Sequence, residues 1–172
     1  MPSVLFVCAA NQCRSPMAAV LFLDMLEKHG GGREWQVSSA GTWAEPGLPA
    51  SSGARAAMID RGLSLEAHRS QPVTDDLLSK QDLVLVMGAG QAEAIRAEFP
   101  GVASRVHLLS ALAGPAYDIS DPIGGTNAAY RVLADELRGI LERGYAKLVS
   151  LLPAASRARG EADGESPEAD GA

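Results

Sequence analysis

Cys8 and Arg14 stand with five residues between them, and Ser15 follows the arginine directly. Arginine presents a planar fork of donors that matches a phosphate-like oxyanion and stays charged at any working pH. A cysteine thiol beside a guanidinium and a set of backbone N–H groups is poised to act as a thiolate nucleophile. The Ser15 hydroxyl can donate to that sulfur. The chemistry available to this stretch is therefore attack by sulfur on a tetrahedral oxyanion held in the same loop.

Such a loop needs rigid flanks. Val4-Leu5-Phe6-Val7 reads as a short buried strand that ends at Cys8. On the other side Ser15-Pro16 reads as the start of a helix over residues 16–29, with Ser15 as the N-cap and Pro16 in the first turn. A loop between a strand end and a helix N-terminus gathers unpaired N–H groups, and the helix dipole adds roughly half a positive charge. That is an anion site before any side chain is counted.

With Asn11, Cys13 and Pro16 also in register, the Cys-x5-Arg-Ser run resembles the low-molecular-weight protein tyrosine phosphatases. The resemblance implies a phosphomonoester hydrolase that forms a cysteinyl-phosphate on Cys8. Arg14 would clamp the phosphate and stabilise the transition state. The backbone from Ala9 and Ala10 through Asn11, Gln12 and Cys13 to Arg14 and Ser15 would cradle the oxygens. A proton donor must stand opposite the sulfur, and in the family an Asp-Pro before the last helix supplies it. Here Asp121-Pro122 lies in Tyr117-Asp118-Ile119-Ser120-Asp121-Pro122-Ile123-Gly124-Gly125, so Asp121 is the implied general acid and later base. By local sequence alone Asp-Pro is an ordinary turn signal. Asp118 is assigned to loop structure or support of the site. Asn11 is expected in a left-handed conformation, its side chain reaching Ser15, Ser39 and His68; for His68 a plain surface position stands equally open. Cys13 reads either as a small packing residue or, by the resemblance, as the thiol that captures oxidised Cys8 in a disulfide.

The match departs from the family in the substrate pocket. Ala10 stands where glycine is usual, and its Cβ would crowd a loop whose backbone must approach the oxyanion. Gln12 replaces an aliphatic residue. Ile123-Gly124 replaces a pair of tyrosines, which leaves Trp43 and Ile123 as the expected substrate wall. The phosphoamino acid therefore stays open: phosphotyrosine leads and phosphoarginine is the nearest rival. Arsenate reduction would need further redox cysteines, and none follows Cys13. A non-catalytic oxyanion-binding module is the reading outside enzymology.

Around this site the chain alternates strands and helices. Strands are expected over residues 35–40, 82–87 and 105–109, and helices over 50–61, 89–98 and 127–152. The apolar run 82–87 is that of a strand covered on both faces. The pattern predicts an α/β fold with helices on both faces of a parallel sheet. The resemblance implies a three-layer sandwich with four strands ordered 2-1-3-4 and the site at their carboxyl ends.

At 172 residues one domain is expected, over residues 1–152. From Pro153 the composition turns to Ala, Gly, Ser, Glu and Asp, and an acidic disordered tail over 153–172 is expected. Half of the net charge of −6 lies there, so the body is near neutral and gives no footing for nucleic acid. No apolar run approaches the roughly 20 residues of a membrane span, and no basic signal region precedes the first strand. A cytoplasmic protein is expected, a monomer or weak dimer, acting on phosphorylated protein or a small aryl phosphate. Two cysteines make no disulfide scaffold and cannot complete a zinc site, so neither cofactor nor metal is expected.

Overall fold

The computed structural model describes residues 1–29 and 34–161, with side chains to Arg157. Four parallel strands form one sheet in the order β2-β1-β3-β4: β1 Ser3–Cys8, β2 Gln36–Gly41, β3 Leu83–Val86 and β4 Val106–Leu108. The order and the parallel pairing are those expected from the sequence.

β1 lies between β2 and β3, and every residue of it is buried. Its side chains divide by parity. Val4, Phe6 and Cys8 join the core under helices α1 (Arg14–Lys28), α2 (Ser52–Ile59) and α5 (Asn127–Leu151). Leu5 and Val7 face the other way, toward α3 (Asp75–Ser79) and α4 (Ala89–Glu98). Burying each such side chain contributes about 1.5–3 kcal/mol, so both faces of β1 hold it in place. Phe6 packs edge-on against Phe22 at 5.7 Å, and Phe22 meets Trp35 at 5.3 Å, which ties α1 to the sheet.

Besides shifts of one or two residues at element ends, the structure differs from the sequence expectation at three places. Helix α1 begins at Arg14 rather than Pro16, with Cys13 at the N-cap. Ser15 caps nothing, because its hydroxyl is taken up inside the phosphate loop. Helix α3, capped by the Thr74 hydroxyl on the Leu77 amide, is too short to show a periodic pattern. Beyond Pro153, helix α6 (Ala154–Glu161) occupies ground expected to be disordered. Alanines with a preceding proline are good helix-opening chemistry, and the neighbouring Leu152 is buried in the main core. The remainder of the expected tail lies outside the described residues.

Candidate active site

All four strands end on one side of the sheet, and the Cys8–Arg14 loop and the Asp121 loop both lie there. Asn11 has φ of 56°, the one non-glycine residue among those described with a positive φ. Ala10 is therefore not in the left-handed region, and its Cβ costs the loop no backbone strain.

Asn11 is fully buried and organises the cup. Its Oδ1 accepts the Gln71 backbone N–H at 2.9 Å, which settles which way the amide faces. Its Nδ2 then donates to Ser15 Oγ and to Ser39 Oγ, both at 2.9 Å. His68 is part of this support, but through the main chain: its Nε2 meets the Asn11 carbonyl at 2.7 Å and does not touch the Asn11 side chain. Burial pushes the His68 imidazole below its ordinary range, so the neutral ring is the form that bonds to that carbonyl. Gln71 extends the network, its Nε2 donating to Ser39 O at 2.9 Å. Nothing in the sequence pattern singled out Gln71, because its backbone amide and its side chain both meet partners that only the fold brings near.

Since Asn11 donates to Ser15 Oγ, the single Ser15 proton is left for Cys8 Sγ at 3.0 Å or the Ala40 carbonyl at 3.3 Å. The hydroxyl can thus turn to the sulfur when the sulfur carries charge. The loop is also pinned from outside: the amides of Thr42 and Trp43 hold the carbonyls of Cys8 and Ala9 at 3.0 and 2.9 Å, and the Ser51 amide holds Gln12 O at 2.8 Å. A Cβ on Gly41 would come within 2.3 Å of Ala9 O, so only glycine lets β2 pass this close.

Cys13, opposite, is buried beside Ser51 and Tyr130. Burial first, then the charges of Asp121 and Cys8, push its thiol up to about 12. It stays protonated wherever the loop would work.

Arg14 reaches across the sheet end. One terminal nitrogen donates to Ile119 O at 2.9 Å and the other to Asp121 Oδ2 at 3.1 Å. Its buried Nε–H has no protein partner, which leaves a donor for an oxyanion. The three residues 117–119 that carry Asp121 are each tied down. Ser110 Oγ accepts from Tyr117 N and donates to Tyr117 O, at 2.9 and 2.7 Å. Asp118 Oδ1 accepts the Ala89 amide at the start of α4, at 2.8 Å. Ile119 N donates to Met87 O at 2.9 Å, and Met87 N to Val7 O at 3.0 Å, so the acid loop is hydrogen-bonded step by step to the base of the phosphate loop. Asp121 Oδ1 accepts the Ile123 amide at 3.0 Å. Ser110 acts by its hydroxyl on the Tyr117 backbone and Ile119 by its own backbone, contacts that sequence reading cannot see.

At the mouth, Trp43 is 87% exposed and Ile123 is 58% exposed, so neither is a core residue. Gln12 Nε2 donates to Pro49 O at 3.1 Å. No group of three or more His, Cys, Asp or Glu among the described residues is arranged to hold a metal ion. No helix among them is long and apolar enough to cross a membrane.

A strand-loop-helix cup with a cysteine at one lip and an arginine-held aspartate at the other defines a class of phosphate-ester hydrolases. Residues 3–154 match the model of the low molecular weight phosphotyrosine protein phosphatases. The chain is 35% identical over 141 residues to a protein-arginine-phosphatase of Bacillus subtilis, covering 81% of this chain and 92% of that one. It is 37% identical over 130 residues to a low molecular weight protein-tyrosine-phosphatase of Streptomyces coelicolor, covering 71% and 78%. The crystal structure of a YwlE mutant from Bacillus subtilis superposes with a TM-score of 0.80 at 34% identity, over 87% of this chain and 99% of that one. The protein belongs to the low molecular weight protein tyrosine phosphatase family, and so to the phosphoric monoester hydrolases.

Proposed function

We propose that the protein removes phosphate from phosphorylated protein side chains, phosphotyrosine first, through a cysteinyl-phosphate on Cys8. The observation that supports this is the hydrogen bond from Arg14 to Asp121, which brings a carboxylate to the loop that begins at Cys8. In the first step Cys8 Sγ bonds to phosphorus, the phosphorus–oxygen bond to the leaving group breaks, and Asp121 gives that oxygen a proton. In the second step water attacks phosphorus, Asp121 takes the water's proton, and the S–P bond breaks to return thiolate and phosphate. Ser15 donates to the sulfur as it departs. Arg14 and the amides of residues 9–15 hold the equatorial oxygens, where charge spreads in the transition state. Trp43 and Ile123 flank the leaving group. No cofactor enters these steps.

A second reading, phosphoarginine, draws support from the polar Gln12 in the loop and from the missing aromatic pair after Asp121-Pro122, and from the relatives named for that activity. We propose further a cytoplasmic monomer or weak dimer, in keeping with its two free thiols.

The test is turnover of p-nitrophenyl phosphate, then of matched peptides carrying phosphotyrosine, phosphoserine or phosphoarginine, under reducing conditions with chelator present. Activity is expected to vanish in Cys8→Ser; hydrolysis surviving that change rules the mechanism out. The peptide that is turned over fastest decides between the two substrates.

A further inference from the structure

The mechanism leaves one cleft beside the cup unused. It holds about 210 Å3 between Thr42, Trp43 and Val73 on one wall and Ala94, Glu98 and Phe99 of the α4 end on the other. The dipeptide that forms its first wall is the same one whose amides hold the Cys8 and Ala9 carbonyls, so cleft and cup share a rim. The Trp43 indole stands on that rim, 87% exposed, with no ring partner among the described residues.

The cleft is furnished for a cation. Glu98 is exposed and has no ion-pair partner among the described residues. It sits in the last turn of α4, where unpaired carbonyls add negative partial charge. The basic residue of that turn, Arg96, is not paired with Glu98: its guanidinium donates to the Val106 carbonyl at 2.6 Å. An aromatic face, a free carboxylate and a helix C-terminus together suit a guanidinium or ammonium group.

We propose that this cleft takes a lysine or arginine side chain of the phosphoprotein substrate, a few residues from the phosphorylated one. The proposal rests on the phosphoprotein reading above. It makes Glu98 a specificity residue that never touches the reacting atoms.

The experiment uses the full chain and a series of peptides with the phosphorylated residue that the panel selects. Arginine replaces alanine at each position from one to four residues on either side. At one position arginine is expected to raise kcat/KM roughly three- to tenfold, through KM, and the gain should shrink as salt is added. Glu98→Gln should abolish that gain, and Glu98→Lys should reverse it in favour of glutamate, while both turn over p-nitrophenyl phosphate like the parent. A gain that persists in Glu98→Gln, or its absence at every position, overturns the cleft and leaves the phosphatase reading intact. Turnover of the aryl phosphate with none of any phosphopeptide overturns both.

Discussion

Arg14 donates to the Asp121 carboxylate at 3.1 Å although the two residues are 107 positions apart in the chain. That bond joins the arginine that closes the loop to the carboxylate proposed to transfer the proton. The same guanidinium also holds Ile119 O, so the clamp and the acid form one hydrogen-bonded body.

Asp121→Asn keeps the side chain's shape and removes its acid–base function. kcat should fall by roughly 10²–10⁴ for esters with poor leaving groups. The loss should be smallest for the most acidic phenols, which leave without help. A plot of log kcat against leaving-group pKa, steeper in the variant, checks this; parallel lines would deny Asp121 the role.

Asp118 tests how far the acid loop depends on its anchor. Asp118→Asn retains an oxygen to accept the Ala89 amide, whereas Asp118→Ala does not. The alanine variant should lose about 0.5–2 kcal/mol of stability. Its kcat on poor leaving groups should fall by roughly ten- to a hundredfold as Asp121 loses register, with the asparagine variant close to the parent. Inhibition by phosphate, which reads the cup rather than the acid, should hardly change.

Asn11 should be the costliest loop residue to truncate. Asn11→Ala strips partners from Ser15, Ser39 and the Gln71 amide, and puts alanine at φ of 56°. The expected loss is about 3 kcal/mol in urea unfolding. Asn11→Gly relieves the backbone alone, so it should recover only part of that loss.

Cys13 should show its burial in its titration. Its folded value of about 12 lies above the ordinary 9.0, so between these the unfolded chain releases this proton more readily than the folded one. Its contribution to stability is therefore complete below pH 9 and lost as pH rises through that window. Cys13→Ala should flatten the alkaline fall in stability between pH 9 and 10.5. At pH 8, mass mapping after iodoacetamide treatment of the folded protein should find Cys13 unmodified.

Much of this was legible in the chain itself. The apolar run of β1, the Cys8 to Arg14 spacing and the unbroken Leu83–Val86 strand each carry their meaning locally, because burial parity and loop chemistry depend on near neighbours. The first helix was legible too, though Ser15 shows the limit: a serine before proline looks like a cap, and only the packed loop reveals that its hydroxyl belongs to Cys8 and Asn11. The α6 helix shows another limit, since composition from Pro153 onward argued for disorder where residues 154–161 are helical, directly after the buried Leu152.

By itself, then, the sequence determined the parallel α/β class and singled out Cys8 and Arg14 as the candidate nucleophile and clamp, with Asp121 as the candidate acid that the resemblance implied. Tertiary structure alone decided that His68 grips the Asn11 backbone, that Gln71, Ser110 and Ile119 are structural members of the site, and that Trp43 stands free in front of an acidic cleft. The reason is physical. Each of those contacts has a backbone amide or carbonyl at one end at least, and every residue carries these alike, so no residue type announces them until the fold brings the two partners within about 3 Å of each other.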